Sequence, residues 1–346
     1  MWTEQDKHTL QEEYAITGET IPIIDLGPFL TDEPGAAQTI ANEMRDALER
    51  IGFFFIINHG IPKSLRDRLV SATAGFYDLP LEQKMVLKVN EEGNGYVPTR
   101  GELPKTSPYY TGTRKPDVSE CYLLQRDWGP IYRPTQNQWP ENGSNFRTTV
   151  MEFFDAAEDL SIRMLPLYAL ALGLKPDFFD DKFPKYQGLN FLRVARMPPD
   201  RLDEDEFNVG PHTDSSFITL LATSDQPGLE ILSQSGRWLK MPLIPNAFVI
   251  NSGDMLTRWS NGRVLSTPHR VINASDTYRY SIPFFLHPTP DTVIECLPTC
   301  CGPDNPAKEP PITSAAYLQW FLEENFALGD QVYNEAGEQV TVSETA

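Results

Sequence analysis

The chain has 346 residues, 40% of them hydrophobic, with 48 acidic against 29 basic side chains and a formal net charge of -19. That much apolar material buries a sizeable core, yet no run reaches the length of a membrane span. The negative balance argues against nucleic acid or an anionic membrane as partner; it serves solubility first, and secondly a pocket that prefers neutral or cationic substrates.

The stretch Met1–Lys7 lacks the positive-then-apolar pattern of an export signal, so a cytoplasmic chain is expected. Cys121, Cys296, Cys300 and Cys301 form no paired Cys-x-x-Cys motif, which argues against zinc and for reduced thiols rather than disulfides. A monomer or weak homo-oligomer acting on a small-molecule substrate is expected.

Residues 1–20 are polar and read as a frayed or capping segment. A short strand follows at Ile21–Leu26. Ile40, Met44, Leu48 and Ile51 fall at helical spacing and predict a helix over Ala37–Ile51. A second strand leads to Asn58-His59-Gly60. Residues 63–88 predict another helix, broken near Leu79-Pro80. Glu91–Ser119, rich in Gly, Pro, Thr and Tyr, reads as a long ordered loop, a type that is usually functional. Thr148–Leu172 predicts a long helix with Pro166 inside it. Gly188–Phe285 reads as successive strands, with turn signals at Pro198-Pro199, Gln226–Gly228, Ser235-Gly236 and Asn261-Gly262. That pattern predicts an α+β chain: a double-stranded β-helix, or jelly roll, wrapped by an α-rich N-terminal region and flanking helices. A C-terminal helix is expected over Ile312–Phe326.

The chemistry concentrates in His212, Asp214 and His269. Two imidazoles and one carboxylate on one face of an octahedron suit mononuclear Fe(II) and leave positions open for substrate, co-substrate and oxygen. On a strand, the i, i+2 spacing of His212 and Asp214 places both side chains on one face; His269 must arrive from a second strand. A lone His-x-Asp is more often a turn histidine beside a carboxylate. The remaining histidines compete poorly: His8 lies in a polar stretch, His59 reads as a turn residue and His287 as a strand-end residue. Further along, Arg279, Ser281, Pro283 and Phe285 share a strand face. A guanidinium fork beside a hydroxyl makes a carboxylate clamp, although an arginine paired with a surface glutamate is the commoner arrangement.

In this order and spacing, His-x-Asp, His-Arg-Val and Arg-x-Ser resemble the isopenicillin N synthase-like branch of the Fe(II)/2-oxoglutarate-dependent dioxygenases. Ile21–Leu26, Gly52–Pro62, Phe76–Pro80 with Lys84, Leu192–Pro199, Asn251–Asp254 and Trp259–Gly262 resemble that family's other blocks, so the likeness spans most of the chain. It implies a jelly-roll fold and one unit over 1–346, with an N-terminal dioxygenase region at 20–130, an iron and 2-oxoglutarate core at 186–290 and a C-terminal helix at 312–326. It also implies Fe(II) on His212, Asp214 and His269, and 2-oxoglutarate held by Arg279 and Ser281. O2 is the oxidant. The implied reaction oxidises an unactivated C–H bond and releases succinate and CO2. Hydroxylation is the usual outcome; desaturation and ring formation remain open. The alternative is an oxidase or cyclase of the same fold that uses no 2-oxoglutarate, since in the branch's namesake Arg-x-Ser holds the substrate's carboxylate. A ligand-binding protein without turnover has no need of three iron ligands.

Ala195 and Met197 stand where plant-type members carry an asparagine and a tyrosine that help hold 2-oxoglutarate. Neither can donate a hydrogen bond. Asn251 or Thr219 are the substitutes considered. Arg193, Tyr96, Phe285 and Phe321 are the candidate substrate residues, with Tyr109 and Tyr110 as possible neighbours of Tyr96. Each has an ordinary alternative: core packing for the aromatics, and for Arg193 a buried ion pair, Glu120 being one candidate partner.

Overall fold

The computed structural model describes residues 21–90, 93–101, 115–127, 137–141, 144–199, 206–223 and 225–325, with short pieces at 2–3, 6, 202–203, 332–333 and 339–340. The N-terminal half supplies β1 (Ile23–Asp25), α1 (Gly27–Leu30), α2 (Ala36–Arg50), β2 (Phe53–Ile57), α3 (Lys63–Tyr77), α4 (Leu81–Met85), β3 (Gly95–Val97), β4 (Glu120–Gln125) and α5 (Ser144–Ala171). The expected helices match α2, the broken pair α3 and α4, and α5. Pro80 lacks the N–H that would continue α3, and the chain restarts there as α4.

The strand-rich part comprises β5 (Phe191–Met197), β6 (Val209–His212), β7 (Ile218–Thr223), β8 (Leu229–Leu232), β9 (Trp238–Lys240), β10 (Phe248–Ser252), α6 (Asp254–Trp259), β11 (His269–Val271) and β12 (Arg279–Leu286). Then come β13 (Val293–Ile294), β14 (Ile312–Thr313) and α7 (Ser314–Asn325). Three details depart from expectation. The stretch read as loop from Glu91 contains β3, which pairs with β4. Helix α6 interrupts the run read as strands. The first two residues of the expected C-terminal helix instead form β14, which pairs with β13.

An eight-stranded sheet runs β1-β2-β10-β7-β12-β5-β4-β3, and a four-stranded sheet runs β6-β11-β8-β9. All pairings within these two sheets are antiparallel except β1 with β2. Side-chain alternation gives the large sheet two working faces. Phe54, Ile56, Leu220, Ile250 and Phe284 face a core shared with Met44, Leu69, Phe153 and Tyr168 of the helices. Phe53, Phe55, Leu221, Val249 and Ala195 face the small sheet, where Leu229, Ile231 and Val271 meet them. Phe53–Ile57 is thus apolar throughout because both of its faces are covered.

A buried charge network ties α3 and α4 to the large sheet. Glu120 accepts from Lys84 Nζ at 2.8 Å and from the Tyr96 hydroxyl at 2.7 Å, and its other oxygen accepts from Arg196 Nε at 2.8 Å. Arg196 also reaches Asp78 at 2.7 Å and the Tyr77 carbonyl at 2.9 Å. Lys84, Glu120 and Arg196 are all buried. Removing the carboxylate strands Lys84 in a low-dielectric setting and leaves Arg196 with Asp78 as its remaining carboxylate in this network. We expect Glu120→Ala to lose about 3–5 kcal/mol of stability in urea unfolding; an unchanged midpoint would mean that the network is solvent-screened.

Candidate metal centre and co-substrate site

His212 closes β6 and His269 opens β11, and the two are direct antiparallel partners. Their rings lie 4.2 Å apart between centroids. Asp214 lies beyond the end of β6, in the turn toward β7. Strand alternation therefore does not aim its carboxylate, contrary to the expectation from spacing. The large sheet does so instead: Asp214 Oδ2 accepts from Thr219 Oγ1 of β7 at 2.6 Å and from Asn251 Nδ2 of β10 at 2.7 Å. Thr219 and Asn251 are cross-strand neighbours.

With Oδ2 so engaged, Oδ1 lies 3.6 Å from the Nε2 of each histidine. The donor atoms of His212, Asp214 and His269 all fall within 4.8 Å of one another, the one such group among the described residues. On the other side of each ring, Nδ1 meets a carbonyl: Gly210 at 2.8 Å for His212 and Thr267 at 3.2 Å for His269. Nδ1 carries the proton in that arrangement, and both Nε2 lone pairs face inward. Burial, with the neighbouring His269, pushes the His212 pKa down to about 3. The Asp214 carboxyl also titrates below its ordinary value, because the two histidines and its two hydrogen-bond donors outweigh its burial. Neutral imidazoles and an ionised carboxylate are the states that ligate a metal. The donor set fits Fe(II).

Across the large sheet, Phe191, Phe285, Thr219, Asn251 and Phe53 stand in one register row. Phe53 meets the His269 ring edge-on at 5.3 Å. Phe191 stacks on Phe285 at 4.3 Å. Arg279, Ser281 and Phe285 share the same face of β12, as expected. Arg279 is 1% exposed. Its Nη1 donates to Met197 Sδ at 3.4 Å, and its buried Nε has no hydrogen-bond partner. Burial pulls its pKa down to about 10, still charged at neutral pH. Among the described residues the Met197 thioether is its one side-chain hydrogen-bond partner, and a buried guanidinium so placed fits an incoming carboxylate.

Met197, read as a lost co-substrate donor, is thus an acceptor for Arg279, and Ala195 packs between the sheets. Asn251 and Thr219, the suggested substitutes, each donate to Asp214. Arg193 lies close enough to His212 to depress its pKa. Its suggested partner Glu120 is bound to Arg196 on the opposite face of β5. Tyr96 requires correction as a substrate residue. It is 1% exposed, packs in the helix-side core and donates its hydroxyl to Glu120, because its place in β3 turns it away from the space between the sheets. Phe321 is half-buried on α7. Tyr109 and Tyr110 lie outside the described residues.

His59 is the turn residue expected, fixed by the Asn246 carbonyl at 2.9 Å. His287 follows β12, fully buried, its ring stacked on Phe191. All four cysteines are free thiols. Sequence reading passed over Phe191 and Phe53, although two-residue alternation with Arg193 on β5 was enough to mark the first.

The 2OG-Fe(II) oxygenase superfamily matches residues 187–288, and the N-terminal region described as non-haem dioxygenase in morphine synthesis matches residues 21–142. The 2-oxoglutarate-Fe(II) type oxidoreductase hxnY of Emericella nidulans is 34% identical, over 92% of this chain and 94% of that protein. The chain belongs to the 2OG-Fe(II) oxygenase superfamily. A homoarginine-6-hydroxylase of Glycine max is 30% identical, over 81% of this chain and 89% of that one. A full-length Neurospora crassa protein, crystallised with alpha-KG and thymine, superimposes with a TM-score of 0.79 at 28% identity, over 89% of this chain and 97% of that one. This oxygenase is therefore a 2-oxoglutarate-dependent oxidoreductase with Fe(II) as its metal. The alternative without 2-oxoglutarate lapses. No helix among the described residues is long and apolar enough to cross a membrane.

Two expectations follow from this geometry. Asn251→Ala or Thr219→Val frees the Asp214 carboxylate to rotate, and each is expected to weaken Fe(II) binding about 10–100-fold in anaerobic titration; unaltered affinity would show that the carboxylate is held by other means. The second concerns pH. Burial pushes the His287 pKa down to about 4, so the folded chain keeps this ring neutral while the unfolded chain protonates it near its ordinary value. Stability from this source is intact at pH 7 and declines as pH falls below about 6.5. Between pH 7 and pH 5 the loss should be about 2 kcal/mol, and His287→Phe, which keeps the stacking, should lack it.

Proposed function

We propose that this oxygenase hydroxylates an unactivated C–H bond of a small organic molecule, consuming O2 and 2-oxoglutarate and releasing succinate and CO2. The observation that carries the reading is the buried guanidinium of Arg279, with no carboxylate partner among the described residues, on the interior that also holds the His212, Asp214 and His269 cluster. In this assignment the three residues ligate Fe(II), and Arg279 with Ser281 binds the far carboxylate of 2-oxoglutarate. The bound metal and co-substrate supply the oxidising power. The protein's own share is orientation: Thr219 and Asn251 fix the carboxylate ligand, the Gly210 and Thr267 carbonyls fix the imidazole tautomers, and the two apolar sheets exclude water.

The two-sheet sandwich is assigned to the double-stranded β-helix, and the whole chain acts as one unit, its helix-side core drawing on residues from Ile24 to Tyr317. The prime substrate lies against Phe285 and its stacked neighbour Phe191, with Arg193 offering a hydrogen-bond fork to a carboxylate or carbonyl. Phe321, one helical turn beyond the buried Tyr317, stays a candidate for the mouth. The naming of a homoarginine hydroxylase among the relatives and the thymine in a neighbouring crystal support hydroxylation of a compact, polar-edged molecule.

The test begins anaerobically. Adding 2-oxoglutarate to the Fe(II)-loaded protein should raise the visible charge-transfer band of a chelated 2-oxo acid. Arg279→Leu should need far more 2-oxoglutarate for the same band while keeping its iron. Asp214→Ala should lose iron binding and substrate-linked succinate formation together. Full activity in Asp214→Ala would sink the metal assignment, and an unchanged 2-oxoglutarate requirement in Arg279→Leu would move the clamp elsewhere.

A further inference from the structure

Between His212 and Asp214 stands Thr213, whose hydroxyl donates to Asp254 Oδ2 at 3.0 Å. Asp254 opens α6, and its backbone N–H donates to the Asp214 carbonyl at 2.7 Å. One residue therefore grips the link between the two ligands by its side chain and the second ligand by its main chain. The approach is close: a Cβ on Gly253 would stand 2.1 Å from the Ser216 carbonyl oxygen and 2.8 Å from that of Asp214. Only glycine lets α6 sit so near the ligand turn.

The same short segment also holds the other arm. Ser252 Oγ donates to the Leu265 carbonyl at 2.7 Å, four residues before His269. The Ser266 hydroxyl lies beside the Asp254 carboxylate. The connections that bring His212, Asp214 and His269 to their partners thus converge on Ser252–Asp254. Asp214 lies past the end of β6, so the strand ladder cannot set its spacing from His212; the Thr213–Asp254 hydrogen bond can.

We propose that Asp254 is a positioning residue for the metal centre, acting as a hydrogen-bond acceptor that locks Thr213 and so fixes the separation of His212 from Asp214. This rests on reading the three residues as the iron site. The role requires an acceptor at Oδ2 rather than a negative charge. Asparagine can meet that need through its amide oxygen, whereas alanine cannot.

The experiment measures Co(II) and Fe(II) dissociation constants anaerobically, records the visible Co(II) ligand-field spectrum, and follows urea unfolding of each metal-free protein. Asp254→Ala and Thr213→Val should each weaken metal binding about 10–100-fold and alter the Co(II) spectrum. The double variant should be no worse than either single one, because both remove the same bond. Asp254→Asn and Thr213→Ser should stay close to the parent. If Asp254→Asn binds metal as poorly as Asp254→Ala, charge rather than acceptance is at work and the proposal fails. It also fails if Asp254→Ala lowers the unfolding midpoint while the folded protein keeps the parent's affinity and spectrum. His212→Ala is the control for the underlying reading: equal metal binding by the parent and His212→Ala would overturn the iron site itself, and this role with it.

Discussion

The carboxylate of Asp214 is the point on which the site turns. It leaves the strand that delivers His212, so the small sheet cannot aim it. Thr219 and Asn251, on two adjacent strands of the large sheet, take one oxygen and leave the other facing both imidazoles. The centre is thus built across the gap between the sheets. The small sheet contributes two histidines in direct register, and the large sheet contributes the hydrogen bonds that orient the acid. Any change in the spacing of the sheets alters the geometry of all three residues. The apolar contacts of Phe53, Phe55, Leu221 and Val249 with Leu229, Ile231 and Val271 therefore serve the chemistry as well as the stability.

Arg279 poses the opposite electrostatic problem. A chain with a net charge of -19 buries a guanidinium and gives it, among the described residues, a thioether rather than a carboxylate. Leaving a charge so poorly compensated costs stability, and burial lowers its pKa accordingly. A resident glutamate would relieve that cost but would compete with any incoming dicarboxylate. Such a glutamate exists nearby, Glu120, but it occupies the opposite face of the sheet, where Lys84 and Arg196 hold it. The separation of faces keeps the Glu120 carboxylate away from the Arg279 guanidinium.

Much of this was legible in the sequence because it depends on local rules. Helical spacing marked α2 and α5, Pro80 marked the break after α3, and two-residue alternation put Arg279, Ser281 and Phe285 on one face. What stayed hidden depends on register between distant strands. Asn251 and Thr219 were both visible as polar residues near the site, yet only the pairing of β10 with β7 shows that they converge on Asp214. Tyr96 misled for a related reason: a tyrosine in a Gly-rich stretch reads as a loop residue, while its pairing into β3 buries it. Helix α6 is six residues long, too short for periodicity to announce, and its place in the site follows from contact with the turn that carries Asp214.

Strand β5 shows how one element serves two ends. Leu192 and Val194 face the helix-side core, and Arg196 closes the ionic network with Glu120 and Asp78. Phe191, Arg193, Ala195 and Met197 face the other way, toward the metal and Arg279. Changes on the first face act on folding, since each residue there has several buried partners. Changes on the second face leave that packing in place and act on what the interior can accommodate. Substitution at Phe191 or Arg193 can therefore reshape the space beside that face while the Thr219 and Asn251 contacts with Asp214, two and three strands away, stay fixed. A scaffold with this division of faces can alter what its interior admits without rebuilding the His212, Asp214 and His269 cluster.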